Sequence, residues 1–211
     1  MKVYIYDIAS LEISDINKFY NELPKWRRDK IDKTNLDIDK LRSLGASLVL
    51  RYGLDEEGID LLKCDIQFGE NGKPYIKGNE NIHFNISHSG TKIAVGIGEA
   101  NLGVDIQEIR PVNLRMVDRF FTGREDKYIN QEIPKFHEVW CLKESYLKCI
   151  GTGLSMSLKD IEIIPEEKMC IDEYEMKLED IEGYKLGICT KKDIDIRIIN
   201  LNNIEFKLQG D

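Results

Sequence analysis

The stretch HFNISHSG, residues 83–90, combines a strand pattern with groups that could hold an anion. Apolar and polar residues alternate along it, which predicts a half-buried strand. Hydroxyls, an imidazole and exposed backbone N–H groups then gather at the strand end, and such groups are suited to anion binding. An ordinary polar turn is the alternative. The residues at the strand end are Ser87, His88, Ser89 and Gly90.

Asp105 lies inside an otherwise apolar predicted strand, GVDIQEIR, residues 103–110. A carboxylate in that position is unfavourable unless it is paired or bound to a metal. Because strand side chains alternate, Asp105 and Gln107 share one face, whereas Glu108 points to the other. Oxygen ligands from Asp and Gln suit a hard cation such as Mg²⁺. A strand-end Asp that caps a turn is the alternative.

The stretch VWCLKESYLKCIGTGLS, residues 139–155, predicts a helix with a mixed apolar and charged face. We expect this face to point inward, where its charges need a partner. Glu144 and Lys148 have the spacing of a surface ion pair as well, while Gly151 and Gly153 end the helix and let the backbone approach a ligand. With the two preceding stretches, these residues indicate phosphate chemistry. The face comprises Trp140, Lys143, Glu144, Leu147 and Lys148.

Further basic residues precede these stretches, and each could equally be a solvated charge. They are Lys25, Arg27, Arg28, Lys30, Arg42 and Lys73. In FTGRE, Thr122 and Glu125 have the spacing of a capping box that begins a helix.

Four arginines surround a short apolar segment and form a candidate docking surface for an acidic partner. The alternative places the apolar residues in the core and the arginines in solvent. The arginines are Arg110, Arg115, Arg119 and Arg124, and the apolar residues are Met116, Phe120 and Phe121.

The elements that must position these residues follow the order strand, helices, strands in each half of the chain. This order predicts an α+β protein of two similar halves, residues 1–101 and 102–211. Helices are expected over 13–33 and 37–52, then near 114–121, 123–131 and 135–150. Two short strands are expected around the Asn-Gly turn of CDIQFGENGKPYI. The last strands are predicted at DIEIIP, KLGICT, DIRIINL and IEFKL.

The composition is that of a soluble globular protein, with 42% hydrophobic and 32% charged residues. A net charge of −8 argues against a general nucleic-acid binder. The five cysteines are odd in number and form no CxxC pair, which indicates reduced thiols in a cytosolic protein. No signal peptide or membrane span is evident, so we expect a cytoplasmic protein without membrane or nucleic-acid partners.

The motifs GKPY, NISHS, GVDI and WCLKESYLKCIGTGL occur in an order and spacing that resemble the 4′-phosphopantetheinyl transferases, specifically the long surfactin-synthetase-activating type. The resemblance covers residues 25–160. It implies a pseudo-twofold fold with coenzyme A in the cleft between the halves. It also implies Mg²⁺-dependent transfer of the phosphopantetheine arm to a serine of an acyl or peptidyl carrier protein, usually by a monomer.

The resemblance also implies ligand-binding residues. The family's phosphate grips correspond to Arg27, Lys30 and Lys73, and its strand-end phosphate ligands to Ser87 and His88, with His88 on the 3′-phosphate. Nucleotide contacts correspond to Arg42 and Ser43.

The metal ligands of the family correspond to Asp105 and Glu144, and Gln107 stands where the family often has a second strand carboxylate. Lys148 matches the lysine near the pyrophosphate, and Lys143 the basic residue before the metal-binding Glu. Glu144, directly or through a metal-bound water, is the expected acceptor of the serine proton.

Two other functions use parts of the same residue set. One is a non-catalytic module that binds coenzyme A or a carrier protein, which the joint presence of Asp105, Glu144 and Lys148 disfavours. The other is a metal-dependent phosphodiester hydrolase, which would not need the GKPY and SHS motifs. Carriers of fatty-acid, polyketide and nonribosomal-peptide synthesis all remain candidate partners.

Overall fold

The computed structural model describes residues 1–191, 194–201 and 206. Its mixture of helices and mainly antiparallel sheets confirms the predicted α+β class. The strands are β1 Lys2–Asp7, β2 Ile66–Phe68, β3 Pro74–Ile76, β4 His83–Ser89, β5 Lys92–Gly98, β6 Leu102–Glu108, β7 Cys170–Ile171, β8 Tyr174–Ile181, β9 Tyr184–Lys191 and β10 Arg197–Asn200. The helices are α1 Ile13–Phe19, α2 Lys25–Lys33, α3 Asp37–Asp55, α4 Val117–Phe120, α5 Gly123–Ile129 and α6 Ile133–Ile150.

The first four-stranded sheet has the order β10-β1-β5-β4, and helix α3 covers one of its faces. Val49 and Leu50 of α3 pack in one apolar cluster with Tyr4 of β1. Strand β10 joins this sheet parallel to β1, with Ile198 and Ile199 packed in different apolar clusters. The predicted division after residue 101 therefore does not separate the sheets completely, because β10 returns to the N-terminal half.

The second four-stranded sheet has the order β6-β9-β8-β7, and helix α6 lies on it. The helix approaches the sheet at two glycines, one on each of the adjacent strands. A Cβ atom at Gly103 would lie 2.0 Å from the Ser145 carbonyl oxygen, and one at Gly187 would lie 2.3 Å from that of Cys141. The glycine of GVDI thus lets the backbone of α6 rest directly on β6.

Strands β4 and β6 bring the two sheets together through side chains on β4 rather than through a backbone ladder. Three polar side chains of β4 each accept a hydrogen bond from an N–H group of β6, at every second residue. The bonds join Asn85 Oδ1 to Val104 N (2.9 Å), Ser87 Oγ to Ile106 N (3.2 Å) and Ser89 Oγ to Glu108 N (3.0 Å). We call this set of three bonds the seam.

The hairpin β2–β3 forms around the predicted Asn-Gly turn and reaches from the N-terminal half to the end of α6. Asn71 donates from Nδ2 to the Gly151 carbonyl oxygen over 3.0 Å, and Lys73 donates from Nζ to that of Cys149 over 2.9 Å. The free carbonyls at the end of α6 are therefore satisfied partly from the other half of the molecule.

Two strand predictions at the C-terminal end differ from the structure. In DIEIIP, Asp160 ends a 3₁₀ helix and Ile164 forms one isolated bridge. A strand does not form there, because the N–H of Ile163 donates to Glu125 Oε1 (2.8 Å) instead of to a neighbouring strand. Strand β8 was not predicted, although its Tyr174, Met176 and Leu178 alternate with charged residues. The predicted strand IEFKL lies outside the described residues, apart from Phe206.

Within the described part of the chain, no helix combines the length and the apolar character needed to cross a membrane.

Replacing Gly103 by alanine should destabilise the fold, since the new methyl group meets backbone atoms that cannot move independently. We expect Gly103→Ala to lower the free energy of unfolding by about 1–3 kcal/mol or more, measured by urea denaturation. Gly123→Ala is the control, because nothing lies within 4 Å of its Cβ position at the start of α5. Equal denaturation midpoints for the two variants would contradict the packing described here.

Candidate active site

Asp105 is the centre of a hydrogen-bond network between the two halves, and only 3% of its surface is exposed. Its Oδ1 accepts hydrogen bonds from Ser87 Oγ (2.9 Å) and Lys148 Nζ (2.5 Å), while its Oδ2 accepts one from Gln107 Nε2 (2.7 Å). The donors come from β4, α6 and β6 itself. The expectation that this buried carboxylate needs partners is confirmed.

Glu144 lies one helical turn before Lys148 on α6 and is half-buried. Burial and the nearby charge of Asp105 raise the pKa of Glu144, and the ammonium group of Lys148 opposes that shift only in part. Among the described residues, no hydrogen-bond donor contacts its carboxylate. The site therefore holds a second carboxylate whose charge the protein does not compensate.

A hard cation fits this arrangement, because two carboxylates and an amide side chain meet at one place and one carboxylate has no donor. The described residues contain no group of three or more His, Cys, Asp or Glu side chains able to hold a metal. A cation held by Asp105 and Glu144 must therefore take further oxygen ligands from a phosphate or from water. Gln107 donates to Asp105 through its amide nitrogen, and metal binding by its amide oxygen stays a prediction.

A group of basic residues, which we call the cationic cluster, surrounds the end of β4: Arg27, Lys30, Arg42 and His88. Desolvation by the surrounding side chains is the largest cause that lowers the pKa of His88 to about 4, although the residue keeps an exposed surface. The positive charges of Lys30, Arg42, Lys148 and Arg27 follow. Asp39 is the carboxylate that opposes them, through an ion pair with Arg42 and its charge near Lys30. The balance at His88 remains strongly positive, which favours binding of an anion.

Arg27 gives the clearest indication of an anion, because it is a buried guanidinium group. Only 4% of its surface is exposed, and burial lowers the pKa of Arg27 to about 9. The guanidinium stacks on Trp26, 4.0 Å from the ring centroid, and Nε is a buried donor without a partner in the described chain. A buried charge without a counter-charge is costly, and a bound phosphate would remove that cost.

Arg42 and Ser43 are neighbours in sequence, but their side chains have different contacts. Arg42 donates from Nε and Nη2 to the Gly90 carbonyl oxygen (3.0 and 2.9 Å) and so holds the turn after β4. Gly90 has a φ of +52°, and a side chain there would collide with the hydroxyl group of Tyr184. Ser43 is buried, and its hydroxyl oxygen, like Arg27 Nε, has no hydrogen-bond partner in the described chain. Its contact with a nucleotide stays a prediction.

Lys73 lies apart from the cationic cluster, although the resemblance groups it with His88. Its Nζ donates to the carbonyl oxygens of Leu102 (3.0 Å) and Cys149 (2.9 Å), and burial lowers the pKa of Lys73. Together with Lys148 it lines a cavity of ≈ 190 Å³ at the opposite end of the seam from the cluster. The structure therefore does not bring Lys73 and His88 onto one phosphate.

Ser87 is also placed differently from the prediction. It is buried, and its hydroxyl group donates to Asp105, accepts from Ile106 N and accepts from Lys148 Nζ over 3.1 Å. A nucleotide phosphate would have to displace these partners. The structure thus places the Ser87 hydroxyl group against Asp105, and its contact with a phosphate stays a prediction, whereas His88, on the other face of β4, is accessible.

Lys143 is wrong as a ligand residue. Its side chain is 0% exposed, and Nζ donates to Glu125 Oε2 (2.5 Å) and to the carbonyl oxygens of Leu158 (2.8 Å) and Phe120 (3.2 Å). The step of about 100° between consecutive helical residues turns Lys143 toward α5 when Glu144 faces β6. The predicted capping box of Thr122 and Glu125 is confirmed, but its sequence pattern gave no signal that Glu125 is fully buried.

The arginine-rich segment has buried apolar residues and exposed arginines, as the alternative interpretation predicts, and its role in docking stays a prediction. Phe121 is buried, and Phe120 packs edge-on against Trp140 with ring centroids 5.5 Å apart. Arg124 pairs with Glu162 and Glu167. The remaining arginines are exposed and have no carboxylate partner among the described residues: Arg110, Arg115 and Arg119.

Removing the charge of Lys143 should destabilise the fold without affecting ligand binding. Lys143→Met leaves the buried Glu125 unpaired, so we expect a loss of about 3–5 kcal/mol in the free energy of unfolding. The double variant Lys143→Met/Glu125→Gln should lose less, because no buried charge remains. Affinity for coenzyme A, measured by calorimetry below the denaturation range, should not change. A tenfold weaker affinity in the folded variant would restore Lys143 to the ligand set.

The comparisons with known proteins agree with the resemblance of the motifs. The family model described as the 4′-phosphopantetheinyl transferase superfamily matches residues 101–189. The 4′-phosphopantetheinyl transferase ffp of Bacillus subtilis is 30% identical over 91% of this chain and 93% of its own. The 4′-phosphopantetheinyl transferase Sfp of Bacillus subtilis strain 168 is 30% identical over 90% and 92%. The 4′-phosphopantetheinyl transferase psf-1 of Bacillus pumilus is 26% identical over 91% of each. The alignments with the two Bacillus subtilis enzymes have 30% identity and cover at least 90% of both chains in each pair. The protein therefore belongs to the 4′-phosphopantetheinyl transferase family.

Proposed function

We propose that the protein uses Mg²⁺ to transfer the phosphopantetheine arm of coenzyme A to a serine hydroxyl of an acyl or peptidyl carrier protein. The family supports the transferase activity and coenzyme A as the donor. One observation carries the finer assignment: a cationic cluster with a buried, unpartnered Arg27 donor among the described residues adjoins two carboxylates and Lys148 at the same seam.

The cationic cluster is the proposed site of the 3′-phosphate of coenzyme A. Arg27 offers a buried guanidinium donor that lacks a protein acceptor, and Lys30 and His88 adjoin it. Charge-assisted hydrogen bonds from such groups to phosphate are the strongest class available to a protein. Binding of the phosphate would also favour the protonated form of His88, because it offsets the surrounding positive charge.

Lys148 and the carboxylates are the proposed reaction centre. The serine oxygen attacks the β-phosphorus of the pyrophosphate, the bond to the 3′,5′-ADP oxygen breaks, and the serine proton passes to Glu144. Glu144 can accept this proton directly or through a bound water, because no donor among the described residues contacts its carboxylate. Lys148 neutralises charge on the departing 3′,5′-ADP. When bound, Mg²⁺ supplies charge neutralisation on the pyrophosphate, and Asp105, Glu144 and Gln107 are its proposed ligands.

The exposed arginines of the α4 region are the proposed docking surface for the carrier protein. Arg115 and Arg119 support this assignment, since they are exposed and have no carboxylate partner among the described residues. An acidic carrier surface would supply the missing charges.

Because one chain contributes both sides of the seam, we propose that the protein acts as a monomer. Its free thiols support a cytoplasmic location.

Glu144→Gln tests the proposed chemistry, because the amide can neither accept the serine proton nor contribute a ligand charge. The assay mixes protein, coenzyme A and Mg²⁺ with apo forms of an acyl and a peptidyl carrier protein, and reads the carrier mass. We expect kcat/KM to fall by about 10²–10³-fold. Glu132→Gln, at the exposed start of α6, should behave as wild type. A loss below tenfold for Glu144→Gln would contradict its role, and an unmodified carrier with wild-type protein would favour a non-catalytic binding module.

Gln107→Glu tests the composition of the metal site. The substitution adds a third carboxylate and removes a donor to Asp105, so it should lower the melting temperature without metal and recover it when Mg²⁺ is added. The Mg²⁺ concentration for half-maximal transfer should fall below that of wild type. Gln67→Glu, on the exposed hairpin, is the control for added charge. An unchanged Mg²⁺ requirement would place position 107 outside the metal site.

The double variant Arg115→Glu/Arg119→Glu tests the docking surface. We expect the KM for carrier protein to rise, with a salt dependence weaker than that of wild type, because the attractive charges are reversed. The KM for coenzyme A should not change. Arg124→Gln is the matched control, since its charge is already paired with Glu162 and Glu167. An unchanged carrier KM in the double variant would exclude this surface.

A further inference from the structure

We infer that Ser87 is a positioning residue, which orients Asp105 and Lys148 at the reaction centre instead of contacting coenzyme A. The inference rests on the proposed function, and it concerns how the seam between the two sheets is coupled to the proposed metal site. Its basis is the set of three hydrogen bonds that the Ser87 hydroxyl group makes.

The direction of these hydrogen bonds follows from the chemistry of the partners. Ile106 N–H and the Lys148 ammonium group can only donate, and they lie 3.2 and 3.1 Å from Ser87 Oγ. A hydroxyl oxygen accepts two hydrogen bonds and donates one, so its acceptor capacity is used. Its single proton must then go to Asp105 Oδ1, 2.9 Å away.

This assignment leaves Ser87 no donor for a phosphate, because phosphate oxygens require one. The hydroxyl group is also buried between β4 and β6. Ser87 therefore serves the substrate only through Asp105 and Lys148. Lys148 has its own role at the pyrophosphate, so Ser87 is the donor that keeps Asp105 Oδ1 oriented when Lys148 turns to the substrate.

The other seam residues provide an internal comparison. Asn85 and Ser89 also face β6 and accept hydrogen bonds from Val104 N and Glu108 N. Neither forms a hydrogen bond with Asp105 or Lys148 in the described chain. Ser87 alone among these three seam residues joins the two sheets and holds a reaction-centre carboxylate. Loss of such a supporting contact typically reduces metal affinity or activity by about 10–100-fold.

The test compares Ser87→Ala, Ser87→Thr and Ser89→Ala in the full-length protein. Affinity for adenosine 3′,5′-bisphosphate is measured by calorimetry without metal. The Mg²⁺ requirement is measured as the concentration giving half-maximal thermal stabilisation in the presence of coenzyme A, and kcat is measured separately. Ser89→Ala removes a seam bond of the same kind without touching Asp105, so it controls for a purely structural role.

We expect Ser87→Ala to bind the bisphosphate within about twofold of wild type while its Mg²⁺ requirement rises about 10–100-fold and kcat falls. Ser87→Thr, which keeps the hydroxyl group, should restore most of the difference. Ser89→Ala should lower the melting temperature but leave the Mg²⁺ requirement unchanged.

Two results would overturn the inference. Tenfold weaker bisphosphate binding with an unchanged Mg²⁺ requirement would make Ser87 a phosphate ligand. Equal behaviour of Ser87→Ala and Ser89→Ala in every measurement would make Ser87 a structural seam residue only. A wild-type protein that fails to load any carrier would contradict the proposed function, whereas the binding and metal titrations would still decide the role of Ser87.

Discussion

The hydrogen bonds from β4 side chains to the N–H groups of β6 are the constraint on which the rest of the structure depends. Two sheets that met through a backbone ladder would form one continuous sheet, with no polar side chains between them. Asn85, Ser87 and Ser89 replace that ladder, so the polar groups of β6 are satisfied and the sheets remain distinct. The same replacement brings a hydroxyl group within reach of Asp105. The same set of hydrogen bonds therefore holds the two halves together and orients the proposed reaction centre.

The charges of the cleft are arranged along this seam. At one end of the seam, the pKa of His88 is lowered by the positive charges of Arg27, Lys30 and Arg42. At the other end, Lys73 donates a hydrogen bond to the last turn of α6. Between them the protein leaves the carboxylate of Glu144 without a donor among the described residues. A buried charge without a counter-charge is unfavourable in the free protein, whatever its sign. A phosphate-bearing substrate and a divalent cation would compensate the charges of Arg27 and Glu144, so we expect their binding to be coupled.

The periodicity of apolar residues in the sequence predicted the fold class and the main helices. It did not predict which partner each side chain meets where adjacent residues face different elements. The α+β class, helices α3 and α6, and the need of Asp105 for partners all follow from local patterns. Lys143 and Glu144 are neighbours in sequence, yet only tertiary packing directs Lys143 to Glu125 and Glu144 to the cleft. The SHS motif has a similar ambiguity, because its alternation does not say whether Ser87 faces a ligand or another strand. DIEIIP has a strand-like composition, but Glu125 provides its hydrogen-bond acceptor from outside any sheet.

The most direct test of the account is a crystal structure with coenzyme A and Mn²⁺, whose anomalous signal identifies the metal position. We predict one anomalous peak at coordinating distance from carboxylate oxygens of both Asp105 and Glu144 and next to the pyrophosphate. We also predict that Arg27, Lys30 and His88 contact the 3′-phosphate and that the hydrogen bond from Ser87 to Asp105 is retained. A metal bound away from Asp105, or a 3′-phosphate bound far from the cationic cluster, would contradict the account.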